Sequence, residues 1–320
     1  MYKNLVVVTL VLLLIAGCSS QGKDSSADPQ SSPPIQTEGN NVSPSPTSSI
    51  APTESSVPTQ SPETVAYLDK EKLKAIFGFS DKEGKYLLVT GQNEGEEKVM
   101  ASLNRAIGEN GSVLAVKFVK WQKGSEQSNG RDTAQNFVNV PGYLFLLEEG
   151  SVVPNQTYYL ADQAEFNLKS LLSIQPANEN NGSAKVGEGV KAEITAAQQR
   201  EIEQIWKLAD ISGKGELYLV QFVKQDKDML FSFVLKEDKR LTFMNYPAVL
   251  QDEYSVWRVD DGGKVSPEMF SILFAAETVK GMVLGINWWG AEGVNTFLLE
   301  QVGDTFKEMD IEYSRYTSPV

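Results

Sequence analysis

Apolar runs rich in β-branched and aromatic residues, separated by polar turn positions, recur along the second half of the chain. "ELYLVQFVK", "DMLFSFVLK" and "RLTFMNYPA" read as three strands, separated by turns at Gln225–Lys227 and Glu237–Lys239. "GMVLGINWW", "VNTFLLEQV" and "TFKEMDIEY" read as a closing three-stranded meander, turning at Gly290–Gly293 and Gly303–Asp304. In the first half, "GKYLLVTGQ" and "SVLAVKFVKW" predict strands, and "GYLFLLEEGSVVPNQTYYL" predicts a hairpin around Glu149-Gly150.

Other stretches carry three- and four-residue spacing and predict helices. These are "AYLDKEKLKAIFGF", with Asp69 as its cap, "EEKVMASLNRAI", closed by Gly108, and "QAEFNLKSLLSI". In the second half they are "REIEQIWKLA", opened by a Thr195/Gln198 capping box, and "SPEMFSILFAAETV", with Pro267 in its first turn. The expected fold class is therefore α+β, with mostly antiparallel sheets and packed helices. Both halves place a helix before strands, and "VKFVK" (Val116–Lys120) echoes "VQFVK" (Val220–Lys224). Either two related lobes, 66–185 and 186–320, or one domain over 66–320 fits. "PANENNGSAKVGEG" is the candidate boundary.

The first 65 residues follow neither pattern. Leu5 to Gly17 is an apolar run of 13 residues broken only by Thr9. It is shorter than the roughly 20 residues that span a bilayer and follows Lys3, as a signal peptide does. "IAGC", Ile15 to Cys18, resembles the lipobox of bacterial lipoproteins, with Ile15 departing from the usual Leu. The resemblance implies lipid attachment at Cys18, cleavage after Gly17, and a membrane-anchored protein facing the extracytoplasmic side. It covers residues 1–18 only.

From Ser19 to Val65, Ser, Pro and Thr fill 26 of 47 positions and no aromatic residue occurs. Such a segment cannot bury enough apolar surface to offset its ordering entropy. It reads as a disordered spacer with an r.m.s. reach of roughly 35–40 Å. A spacer of this kind suits a thick wall, as in a Gram-positive source.

Charge and chemistry narrow the field further. The formal charge of −13 argues against nucleic acid as a partner. Histidine is absent and Cys18 is the single cysteine, so Ser-His and Cys-His nucleophiles, an intrachain disulfide and Cys/His metal sites are excluded. No Walker loop, nucleophile elbow or dinucleotide fingerprint is present. No cofactor, metal or catalytic residue is expected. The acid pairs Glu96-Glu97, Glu148-Glu149 and Asp260-Asp261 read as solvated surface.

Two stretches carry candidate function. Ile202 to Phe222 resembles the second calcium hand of EH domains at Ile205, Trp206, Leu208, Ala209, Asp210, Gly215, Leu217 and Phe222. A calcium loop starting at Asp210 would have Ser212, Lys214 and Gln221 at its third, fifth and twelfth positions. One carboxylate is too few for tight calcium binding. The alternative is a helix end, a Gly213/Gly215 turn and a strand. In "INWWGAEGVN", adjacent Trp288 and Trp289 face opposite sides of a strand. One then packs in the core. The other, with Glu292 and Asn295, forms a surface suited to stacking on sugars or peptides, unless the sheet and its helices bury both. Trp121, Trp206 and Trp257 read as core or interface residues.

The resulting expectation is an anchored lipoprotein whose non-catalytic domain binds an envelope protein or carbohydrate. The rivals are an envelope hydrolase working through carboxylates and a structural subunit of a surface complex.

Overall fold

The computed structural model describes residues 66–177, 186–251 and 254–318. The signal peptide, Cys18, the spacer and most of the proposed boundary stretch lie outside the described residues.

Fifteen strands and only two α-helices appear among the described residues, so the α+β expectation is replaced by a mostly β architecture of two barrels. The first barrel uses β1 (Phe77–Ser80), β2 (Tyr86–Val89), β3 (Arg105–Gly108), β4 (Ser112–Gln122), β5 (Gly142–Leu147) and β6 (Thr157–Ala161). It closes in the order β1-β2-β5-β4-β3-β6. The expected β5–β6 hairpin does not form. β5 lies between β2 and β4, and β6 between β1 and β3. Helix α1 (Glu97–Met100) is a single turn that drops Met100 into the barrel core beside Tyr143, Phe145 and Leu87.

The second barrel uses β7 (Ile174–Pro176), β8 (Ile202–Ile211), β9 (Gly215–Phe222), β10 (Asp228–Glu237), β11 (Arg240–Val249), β12 (Phe270–Thr278), β13 (Gly281–Trp289), β14 (Gly293–Val302) and β15 (Thr305–Tyr316). Its order is β12-β13-β14-β15-β11-β10-β9-β8-β7. The meander and the three-strand run appear as the apolar runs and turns predict. They are joined by one parallel pairing, Phe243 with Thr305. The sheet ends nearly meet, because Leu171 bridges Ala276 and the Leu172 N–H reaches the Ala275 carbonyl at 2.9 Å just before β7 begins.

Alternation sorts the side chains. Phe231, Phe233 and Leu235 of β10 point inward with Met282, Leu284, Ile286 and Trp288 of β13. Each fully buried side chain of this kind is worth about 1.5–3 kcal/mol. Outside, helix α2 (Glu188–Gln198) lays Val190 and Ile194 on Val220, Phe222 and Val234.

Two of the predicted helices, "REIEQIWKLA" and "SPEMFSILFAAETV", fail for a common reason, and "EEKVMASLNRAI" shortens to α1, with Gly108 ending β3 instead of closing a helix. β8 has register shifts between Ile202 and Gln204 and between Lys207 and Ala209; β12 has one between Ile272 and Phe274. A bulge adds a residue, so side chains on one face fall three apart instead of two. Ile202 and Ile205 share the outer face of β8, and Ile272 and Ala275 share the interior of β12. Three-residue spacing in those segments is bulged strand. The Thr195/Gln198 pair closes α2 instead of opening a helix, with Gln199 left-handed at φ 51°. "AYLDKEKLKAIFGF" and "QAEFNLKSLLSI" shrink to 3-10 turns at Lys70–Lys72 and Leu168–Ser170. Asp69 does cap its turn, accepting from the Glu71 N–H at 3.2 Å.

The free edge of β12 joins the barrels. Its carbonyls at Ile272, Leu273 and Glu277 accept from the N–H groups of Asn110 (3.0 Å), Gly111 (2.9 Å) and Leu68 (2.7 Å). Phe77, Tyr159 and Phe166 of the first unit pack on Phe274, Val283 and Leu298 of the second. Arg315 of β15, only 2% exposed, crosses the junction. It donates to the Asp132 and Asn155 carbonyls, the Asn155 amide oxygen and the Thr157 hydroxyl, and lies over the Phe79 ring at 4.9 Å.

Candidate functional site

At one end of the second barrel, residues 254–265 fold across the opening. Asp261 organises this segment: its carboxylate accepts from the N–H groups of Val256, Trp257, Arg258 and Gly263 at 2.7–2.9 Å. Gln221, buried on β9, fixes it to the barrel wall. Its amide donates to the Gly263 carbonyl (3.2 Å) and accepts from the Val265 N–H (3.0 Å). Trp257 anchors the other side through its indole N–H to the Tyr246 carbonyl, 3.0 Å.

Arg258 then reaches the β13–β14 turn and donates to the carbonyls of Trp288 (2.8 Å) and Gly293 (3.2 Å). Its guanidinium lies 5.5 Å from the Trp288 ring centre. Burial lowers its pKa, opposed by the charges of Asp261 and Glu292. A Cβ at Gly290 would collide with the Arg258 side chain, so glycine is required there for the arginine to lie flat.

Trp288 sits within an aromatic cluster, with Phe231 and Phe270 each at 5.3 Å and Tyr246 at 5.5 Å. Its indole N–H is buried and lacks a protein partner. A cavity of about 370 Å³ opens beside it, lined by Arg258, Lys264, Glu268, Met269, Trp288 and Trp289. A second cavity, about 560 Å³, lies across the Pro267–Met269 turn and is lined by Trp206, Leu208, Pro267, Glu268, Phe270 and Ile272.

Of the sequence candidates, Trp288 and Trp289 do meet at one cavity. Trp288 faces the barrel interior, and half-buried Trp289 reaches toward Arg315, 5.8 Å away. Glu292 and Asn295 do not line this cavity. Glu292 is in the turn, where its carbonyl accepts from Thr317 and Ser318. The exposed Asn295 amide oxygen accepts from Ser314 at 3.1 Å. Sequence reasoning missed Arg258, Lys264, Glu268 and Met269. It read Asp260-Asp261 as solvated, although an Asp just before Gly-Gly favours side-chain capping of a turn. Trp206, expected as a core or interface residue, packs against the core and also lines the second cavity.

The EH-like segment is a strand hairpin, β8–β9, where the helix before the Gly213/Gly215 turn was expected. Gly215 has φ 114°, and a Cβ there would strike the Lys236 carbonyl. Asp210 pairs with Lys207 at 2.7 Å. Among the described residues no cluster of three or more acidic, Cys or His side chains converges as a metal shell. No helix among them is long and apolar enough to cross a membrane.

Comparison with protein families, characterised proteins and solved structures finds no match.

Proposed function

We propose that this chain is a lipid-anchored extracytoplasmic protein whose double-barrel domain binds an envelope carbohydrate without catalysis. The observation that carries the binding assignment is the cavity at the barrel mouth: tryptophan and methionine on its walls, and charged groups of both signs around them. Such a cavity suits a neutral ring with one apolar face and hydroxyls at its edge. Arg258 and Lys264 against Asp260, Asp261 and Glu268 favour no strongly charged ligand.

The non-catalytic reading is supported by the carboxylates themselves. A glycosidase needs an acid whose pKa is raised. Glu268 is shifted the other way, by a hydrogen bond from the Ser266 side chain and by its own N–H. Asp261 is committed to four backbone N–H groups. A protein partner is less well served: exposed apolar side chains such as Val138, Val249 and Val279 sit singly, on a 3-10 turn, at the end of β11 and in the β12–β13 turn.

The anchoring part of the proposal rests on "IAGC" and the spacer. The full-length protein, incubated with solubilised envelope polysaccharide and separately with envelope protein from the source organism, should sediment with the polysaccharide. Retention by the protein fraction alone would reject the carbohydrate assignment.

A further inference from the structure

One cavity lies at the barrel mouth and a second in the seam between β7–β8 and β12, and their relation suggests what kind of carbohydrate is bound. Glu268 lines both, projecting from the three-residue turn Pro267–Met269 that separates them. Their walls are continuous below the turn. Trp288, on the wall of the first, is the register partner of Phe270, on the wall of the second, with ring centres 5.3 Å apart. Each cavity carries its own half-buried tryptophan, Trp289 in the first and Trp206 in the second. Glu268, held ionised by Ser266, places a hydrogen-bond acceptor at the division.

We infer that the two cavities are successive subsites of one groove, and that the ligand is an extended, neutral polysaccharide chain instead of a single sugar or a chain end. The inference rests on the carbohydrate reading above and specifies its ligand. A tryptophan in each subsite supplies the apolar platform for a ring, and Glu268 accepts from hydroxyls near the linkage between the two occupied positions. Binding along the length of a strand, without recognition of a terminus, is what a tethered domain needs to hold a polymer.

The test uses full-length protein and neutral oligosaccharides released from the source envelope, fractionated by length from single sugars to long chains. Affinity is measured by calorimetry. It should climb with length until both subsites fill, by about tenfold or more, the equivalent of ~1.4 kcal/mol. Trp206→Ala should remove that increment. Ala177→Trp, which places a bulky ring at the wall of the second cavity while keeping Trp206, should do the same and guards against a misfolded first variant. Trp289→Ala should weaken every length. Affinity independent of length, or a length increment surviving in Ala177→Trp, would overturn the groove while leaving carbohydrate binding intact. No binding by any fraction would overturn both.

Discussion

Replacing Arg315 by methionine tests how the two barrels are held together. Five donor contacts from its guanidinium reach four acceptors: the Asp132 and Asn155 carbonyls, the Asn155 amide oxygen and the Thr157 hydroxyl. Methionine retains part of the stem volume and none of the donors. Each buried acceptor left unpaired costs about 1–3 kcal/mol. Stacking of the cation on Phe79 adds roughly 0.5–2 kcal/mol. Against this, the variant no longer desolvates a cation that has no carboxylate in direct contact, a penalty of several kcal/mol in its own right. Asp132 and Asn155 are only partly buried, so water can reach some of the vacated acceptors. The net expected loss is about 3–5 kcal/mol, at the upper end of single-residue effects. Urea unfolding of the full-length protein, followed by both tryptophan fluorescence and circular dichroism, measures it. Arg315→Lys, which keeps charge but loses the planar fork, should fall between wild type and Arg315→Met. A loss below about 1 kcal/mol in Arg315→Met would refute the claim that this side chain couples the barrels.

Asp261→Ala should cost about 2–3 kcal/mol, because four backbone donors lose one acceptor, and should loosen the segment over the barrel mouth; hydrogen exchange at Val256–Gly263 reports it. Burial raises the Asp132 pKa, with Arg315 opposing. A carboxyl raised on folding contributes stability that is complete below its unfolded value and is lost as pH rises through its folded value. Asp132→Asn should therefore flatten the acid-range change in urea midpoint; an unaltered slope would count against that assignment. Cys18→Ala should abolish labelling by a fatty-acid probe, and labelling equal to wild type would defeat the lipobox reading.

The strands of the second half were readable because β9, β10, β11, β13 and β14 are apolar runs rich in β-branched and aromatic residues, bounded by turn residues. β8 and β12 were not, because bulges at Ile202–Gln204, Lys207–Ala209 and Ile272–Phe274 give strand residues helical spacing. No local pattern distinguishes the two; long-range pairing decides. The hairpin predicted at Glu149-Gly150 failed because barrel closure draws β5 and β6 to different neighbours. At the site, the Trp288-Trp289 pair was visible from its sequence. Its partners come from a polar loop whose position depends on Gln221, 44 residues before Val265. That tie is tertiary. The acceptor geometry of Asp261 was hinted at only by the glycines after it.

The central claim is that the cavity beside Trp288 and Trp289 binds envelope carbohydrate. The most direct measurement is a calorimetric titration of full-length protein with polysaccharide from the source envelope, wild type against Trp289→Ala, with thermal unfolding recorded for both. Saturable binding by the wild type, weakened about tenfold or more in a variant that still unfolds cooperatively, is the predicted result. Equal affinity in the two proteins, or no heat with either, would contradict the account.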